Sequence, residues 1–196
     1  MKAQRVTTWL ALVGLLLAVG AVGAADNTQL AVTQDESSME KLIESYLKEQ
    51  HKLILEEDLL DEAGEDMRLK VPFQAEEGVP RFTLYIDTQP TNYDEQDRVT
   101  ERGVLLSLET GVIVPEGKRA QIVQLLNEHN RSKNFSSVYM NERGHLYCDW
   151  ILNVMAPGLA TEYVYDALAR VQRLWRGLWP EVAAALDEEA DGEAVG

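Results

Sequence analysis

The chain has 196 residues, a formal net charge of −15 and one cysteine, Cys148. Such acidity repels phosphate backbones and anionic lipid heads at long range, which argues against a nucleic-acid partner. A lone cysteine excludes an internal disulfide, so the fold must be held by packing.

Residues 1–25 have the make-up of a secretory signal peptide: Lys2 and Arg5, an apolar run from Trp9 to Val19, then small residues with a cleavage site near Ala24 or Ala25. A retained anchor is the competing reading. The run is shorter than the roughly 20 residues of a spanning helix, and no cysteine ends the leader to accept a lipid. The expected location is therefore periplasmic or secreted, with no membrane insertion after cleavage. Without its leader the chain carries 16 Lys and Arg against 33 Asp and Glu, a net charge of −17. That leaves about 170 residues, enough for one domain with a real core.

Residues 26–36 are polar and aperiodic and read as a linker to a single domain over 37–186. Ser37 and Glu40 have capping-box spacing, and Met39, Leu42, Ile43, Tyr46 and Leu47 form an amphipathic stripe. The spacing predicts a helix from Ser37 to about Leu55, ended by the acidic segment Glu56 to Asp66. Met67, Leu69, Val71 and Phe73 then alternate with polar residues, and Phe82, Leu84 and Ile86 do the same, giving two strands; Pro72 places the first at an edge. A loop from Asp87 to Asp97 separates them from a third strand over Val99 to Val114.

Pro115 and Glu116 open a second helix that reaches about Asn130. Its apolar Ala120, Ile122, Val123, Leu125 and Leu126 suggest cover on more than one side. Phe135 to Asn141 and His145 to Val154 form a hairpin around Glu142-Arg143-Gly144. That loop pairs Asn141 with His145. One hairpin face then presents Met140, Leu146, Val138, Cys148 and Trp150, and the other Tyr139 opposite Tyr147, Ser137 opposite Asp149 and Phe135 opposite Ile151. Apolar groups on both faces imply that the second face is covered too, by the second helix or by a partner. Phe135, Tyr139, Tyr147 and Ile151 are accordingly the candidate partner-binding residues.

After Pro157 and Gly158 comes the longest helix, with Val164, Ala167, Leu168, Val171, Leu174, Trp175 and Leu178 on its stripe. Trp179-Pro180 should end or kink it. Trp150 and Trp175 are expected to face one another between sheet and helix. Residues 187–196 read as a disordered acidic tail.

Catalytic patterns are missing from the sequence. Cys148 and His145 lie three apart on a strand and point to opposite faces, so they form no dyad. No nucleophile elbow, phosphate-cradling glycine loop or metal-ligand spacing is present, and no cofactor is implied. Asp87, Asp94, Glu95 and Asp97 are oxygen donors of the kind calcium takes, without the EF-hand order. They support, as alternatives, a divalent-cation-binding role over 87–97 or a periplasmic enzyme without a recognisable motif. Asn130 and Asn134 open glycosylation sequons. Arg170, Arg173 and Arg176 read as a solvated helix face, with a docking patch for an acidic segment as the alternative.

The predicted order, helix, three strands, helix, two strands, helix, is an α+β arrangement around a mostly antiparallel five-stranded sheet and resembles the type III secretion chaperone fold. The segment from Pro115 to Asn130, with Asn127 and Asn130 before the strand pair, then Gly144-His-Leu-Tyr-Cys-Asp-Trp and a long closing helix, resembles the YbjN-like family of bacterial sensory transduction regulators over residues 37–180. The resemblance implies a non-enzymatic domain working through protein contacts or self-association, a possible homodimer. An exported leader speaks against an effector-chaperone role, since such chaperones act before export.

Overall fold

The computed structural model describes residues 29–59, 67–76, 78–132 and 136–187. The predicted leader and its cleavage site, residues 26–28 of the linker, Phe135, Asn134 and positions 188–196 of the tail lie outside the described residues.

The chain folds as an α+β domain, with every strand pair antiparallel. Its elements are β1 (Gln29–Leu30), α1 (Glu36–His51), β2 (Glu56–Leu59), β3 (Met67–Phe73), β4 (Phe82–Tyr93), β5 (Val99–Ile113), a single 3-10 turn (Glu116–Lys118), α2 (Arg119–Arg131), β6 (Ser137–Met140), β7 (His145–Val154), β8 (Leu159–Ala160) and α3 (Thr161–Asp187). The main sheet runs β2-β3-β4-β5-β7-β6, and β1 pairs with β8 in a small ribbon. Six strands therefore stand where five were expected. The extra one is β2, inside the acidic segment read as a helix terminator. Its charges are tolerated because Asp58 takes Arg68 at 2.7 Å and Lys70 at 2.9 Å on the neighbouring strand.

Three further expectations are corrected at element ends. The linker is tied to the fold through Leu30, which is fully buried, in the ribbon with β8. Asp35, not Ser37, caps α1, accepting the Ser38 N–H at 2.7 Å. Glu40 does not complete a capping box; it turns onto the sheet and accepts from the Thr88 N–H at 3.2 Å and hydroxyl at 3.1 Å. The acidic loop is shorter than expected because β4 continues to Tyr93, leaving only a tight turn closed by Asp94, which accepts from the Gln96 and Arg98 backbones.

α1, α2 and α3 pack on one face of the sheet, where Leu69, Leu84, Ile86, Leu106, Leu108 and Leu146 are fully buried. Apolar burial of this kind is the main favourable term in folding. Only Ile122 and Leu126 of α2 are buried, and Val123 is exposed, so that helix is covered on one side rather than several. Its start is fastened to the β6-β7 hairpin by Arg119, whose guanidinium donates to the Glu142 and Arg143 carbonyls. Gly144 is required in that hairpin: its φ is +88° and a Cβ would stand 2.8 Å from the Val114 carbonyl oxygen.

The closing helix runs unbroken through Pro180 to Asp187. An interior proline costs about 3 kcal/mol, and the apolar stripe that continues through Leu178, Val182 and Ala185 offsets it. Trp179, off that stripe, reaches the β3-β4 connection and donates its indole N–H to the Gly78 carbonyl at 2.8 Å. Trp175 is fully buried with Trp179 as its ring neighbour at 5.6 Å, whereas Trp150 is half-buried beside the Arg170 guanidinium. The three arginines serve separate ends: Arg170 lies over Trp150, Arg176 pairs with Glu76 at 2.7 Å, and Arg173 points to solvent.

Candidate functional site: the open face of the sheet

The hairpin register is the expected one: Tyr139 opposes Tyr147, Ser137 opposes Asp149, and Val138 opposes Cys148. Alternation sends Val138, Leu146 and Cys148 into the core and Tyr139, Tyr147, Asp149 and Ile151 to the other side. Among the described residues no helix covers that second face. Tyr139 is 39% and Ile151 52% exposed. The second helix, offered as one possible cover, packs instead into the common core, so the expectation that α2 shields these residues is overturned.

Strand pairing assembles the face across the whole sheet. One row reads Glu56, Lys70, Tyr85, Ser107, Asp149, Ser137 from edge to edge. The next adds Asp87, Leu105 and Ile151, and the row on the other side Thr83, Glu109, Tyr147 and Tyr139. The face has two halves of different character. On β2 to β4 it is an ion-paired lattice in which Asp58 holds Arg68 and Lys70, and the Arg68 guanidinium stacks 3.9 Å above the Tyr85 ring. On β5 to β7 it carries Tyr139 and Tyr147, stacked at 5.5 Å, on one side of the Ser107-Asp149-Ser137 row and the apolar Leu105 and Ile151 on the other.

The aromatic half is pinned by hydroxyl donors. Tyr139 donates to Asp149 at 2.9 Å and Ser107 donates to the other Asp149 oxygen at 2.6 Å, a chain that ties three strands together. Burial, together with the accepting Asp149 carboxylate, pushes the Tyr139 phenol up to about 12, so it keeps its proton as a donor. Tyr85 is shifted upward as well, by burial first and then by Glu109, which takes its hydroxyl hydrogen bond.

The remaining candidates are not brought together. Cys148 is fully buried in the core, where desolvation pushes its thiol up to about 12, and His145 lies on the opposite face. Asp87 sits within β4 and Asp94 is engaged by Arg98 at 2.7 Å, so the acids of 87–97 do not converge. Among the described residues no three His, Cys, Asp or Glu side chains could together hold a metal ion, and no helix is long and apolar enough to cross a membrane. A shallow cleft of about 520 Å³ at the end of β3 to β5 is lined by the stacked Phe73 and Phe82 with Arg81, Glu109 and Thr110; none of its described wall residues is His, Cys or Ser.

Sequence reasoning missed the edge of this site. Asn130, read only as a sequon and family-like signal, accepts the Val138 N–H at 2.9 Å and donates to the Val138 carbonyl at 2.7 Å. Its amide thus takes the place of a seventh strand and closes the β6 edge. A polar residue at the end of a helix just before a strand was the available signal. No protein-family model matches the chain, and no curated protein matches its sequence.

Proposed function

We propose that this chain is an exported, non-enzymatic protein-binding module of the YbjN-like kind, and that its contact surface is the outer face of the sheet. The carrying observation is the β5 to β7 half of that face, where the stacked Tyr139 and Tyr147 and, across the Asp149 row, Ile151 stand without a covering element among the described residues. Tyrosine is suited to such a place, since its ring contributes apolar contact and its hydroxyl stays wet. The polar ties beneath the rings hold their positions before any partner arrives, which lowers the ordering cost of binding. Export is supported by the make-up of residues 1–25 alone.

The test is capture from the native compartment with the parent chain and with Tyr147→Asp and Ile151→Asp, each checked for fold by circular dichroism. Proteins retained by the parent and lost from folded variants are the expected result. An unchanged set of retained proteins would overturn this role for the face.

A further inference from the structure

The partner that fits this face can be specified by charge. On the β2 to β4 half of the face the bases Arg68 and Lys70 are both taken up by Asp58, at 2.7 and 2.9 Å. The acids of the aromatic half are differently placed. Asp149 is met by the Tyr139 and Ser107 hydroxyls, and Glu109 by the Tyr85 hydroxyl. Hydroxyl donors fix a carboxylate's direction but leave its charge in place, and each carboxylate has further acceptor capacity. The apolar groups of this half therefore lie on either side of the Asp149 carboxylate, whose hydrogen-bond donors are neutral hydroxyls, while Glu109 shares its cleft with Arg81.

Resting on the binding role proposed above, we infer that the outer face takes a basic amphipathic polypeptide segment. Its apolar side chains would cover Tyr147 and Ile151, with Lys or Arg set against Glu109 and Asp149. The exposed tyrosine rings also favour cations over their faces. A second copy of the chain is a poor occupant. A two-fold contact sets the same patch against itself, which would bring Glu109 and Asp149 towards their own counterparts in a chain already carrying a net charge of −15, and like charges in an interface suppress pairing.

The experiment measures binding of the full chain to three short peptides: an amphipathic helix of Leu and Lys, the same composition scrambled to remove its apolar side, and an amphipathic helix of Leu and Glu. Three proteins are compared: the parent, Ile151→Ser, and the pair Glu109→Gln with Asp149→Asn, all verified as folded. The Leu-Lys helix is expected to bind the parent best, to weaken with salt, and to lose roughly tenfold in the double variant and in Ile151→Ser. Equal binding of the scrambled peptide, or binding indifferent to both variants, would mean attraction to the protein's overall charge and would overturn the inference. Binding of the Leu-Glu helix, or self-association lost in Ile151→Ser, would overturn the basic partner while leaving the face as a contact surface. Failure of every peptide to bind would also overturn it, and the capture experiment would then judge the face separately.

Discussion

The two faces of the sheet are made from the same strands and are held by different forces. On the helical face, alternate residues of β4 and β5 such as Leu84, Ile86, Leu106 and Leu108 are fully buried and have no polar atom to satisfy. One residue over, Tyr85, Ser107 and Glu109 are half-exposed and linked to neighbouring strands by hydroxyl and carboxylate groups. The difference separates residues that fix the fold from residues left open on the outer face. Burial on one side fixes which residues can be where, and the other side keeps a defined shape through local polar ties that cost little to alter.

The comparison breaks most visibly in the core. Trp175→Ala removes a fully buried ring from α3 and is expected to cost about 3 to 5 kcal/mol. Chemical denaturation would show the midpoint falling while Ile151→Ser, on the open face, stays close to the parent. A Trp175→Ala midpoint equal to the parent's would mean that the docking of α3 contributes little.

Among the polar groups buried on the core side, Glu40 makes the core sensitive to pH. Glu40 is 1% exposed, and burial, opposed by its Thr88 hydrogen bonds and reinforced by Asp87 and Glu36, pushes its carboxyl from 4.5 up to about 7. The folded chain thus holds this proton more tightly than the unfolded one. Its contribution to stability is complete below 4.5 and is lost as pH rises through about 7, a change on the order of 3 kcal/mol. Asp35, Asp58 and Asp94 are shifted the other way by their hydrogen bonds and weaken the fold only in stronger acid. Unfolding free energy measured across this range should decline for the parent and run nearly flat for Glu40→Gln. A parent profile as flat as the variant's would contradict the burial of that charge.

The edge of the sheet gives a smaller effect. Asn130→Ala leaves the Val138 N–H and carbonyl without their partner, at a cost of about 1 to 2 kcal/mol if water reaches them poorly. Hydrogen exchange at the Val138 amide should quicken in the variant. Exchange as slow as in the parent would show that the clamp is dispensable.

How much of this was legible in the chain follows from the same division. The helices, β3 to β5 and the β6-β7 register could be read because burial on the core face imposes regular spacing at Leu69, Val71, Leu84, Ile86, Val138 and Cys148. β2 was hidden because its Glu56, Glu57 and Asp58 have the composition of a loop, and only the bases of β3, distant by ten or more residues, make it a strand. Pro180 misled for a related reason. Local propensity opposed the helix there, and long-range packing of Val182 and Ala185 decided it. Of the candidate site, Tyr139, Tyr147 and Ile151 were placed by register arithmetic, whereas Asn130 and the Ser107-Asp149 tie depend on contacts between elements that no spacing rule contains.

The smallest expected effect probes the open face itself. Tyr139→Phe deletes one hydroxyl and keeps the ring, and Asp149 retains its Ser107 donor at 2.6 Å. Since Tyr139 is more than a third exposed, water replaces much of what is lost, and the stability change should be no more than about 0.5 kcal/mol. The hydroxyl nevertheless has its own signature. Burial and the Asp149 carboxylate push the phenol up to about 12 from the ordinary tyrosine value of 10.0, so the late phenolate absorbance in an ultraviolet titration should be smaller by one tyrosine in the Phe variant, with Tyr85 still contributing to it. Peptide binding should survive in Tyr139→Phe and fall in Tyr139→Ser, because the ring supplies the contact and the hydroxyl only its orientation. Equal losses in both would assign recognition to the hydroxyl, and the polar ties would then belong to the binding surface rather than beneath it.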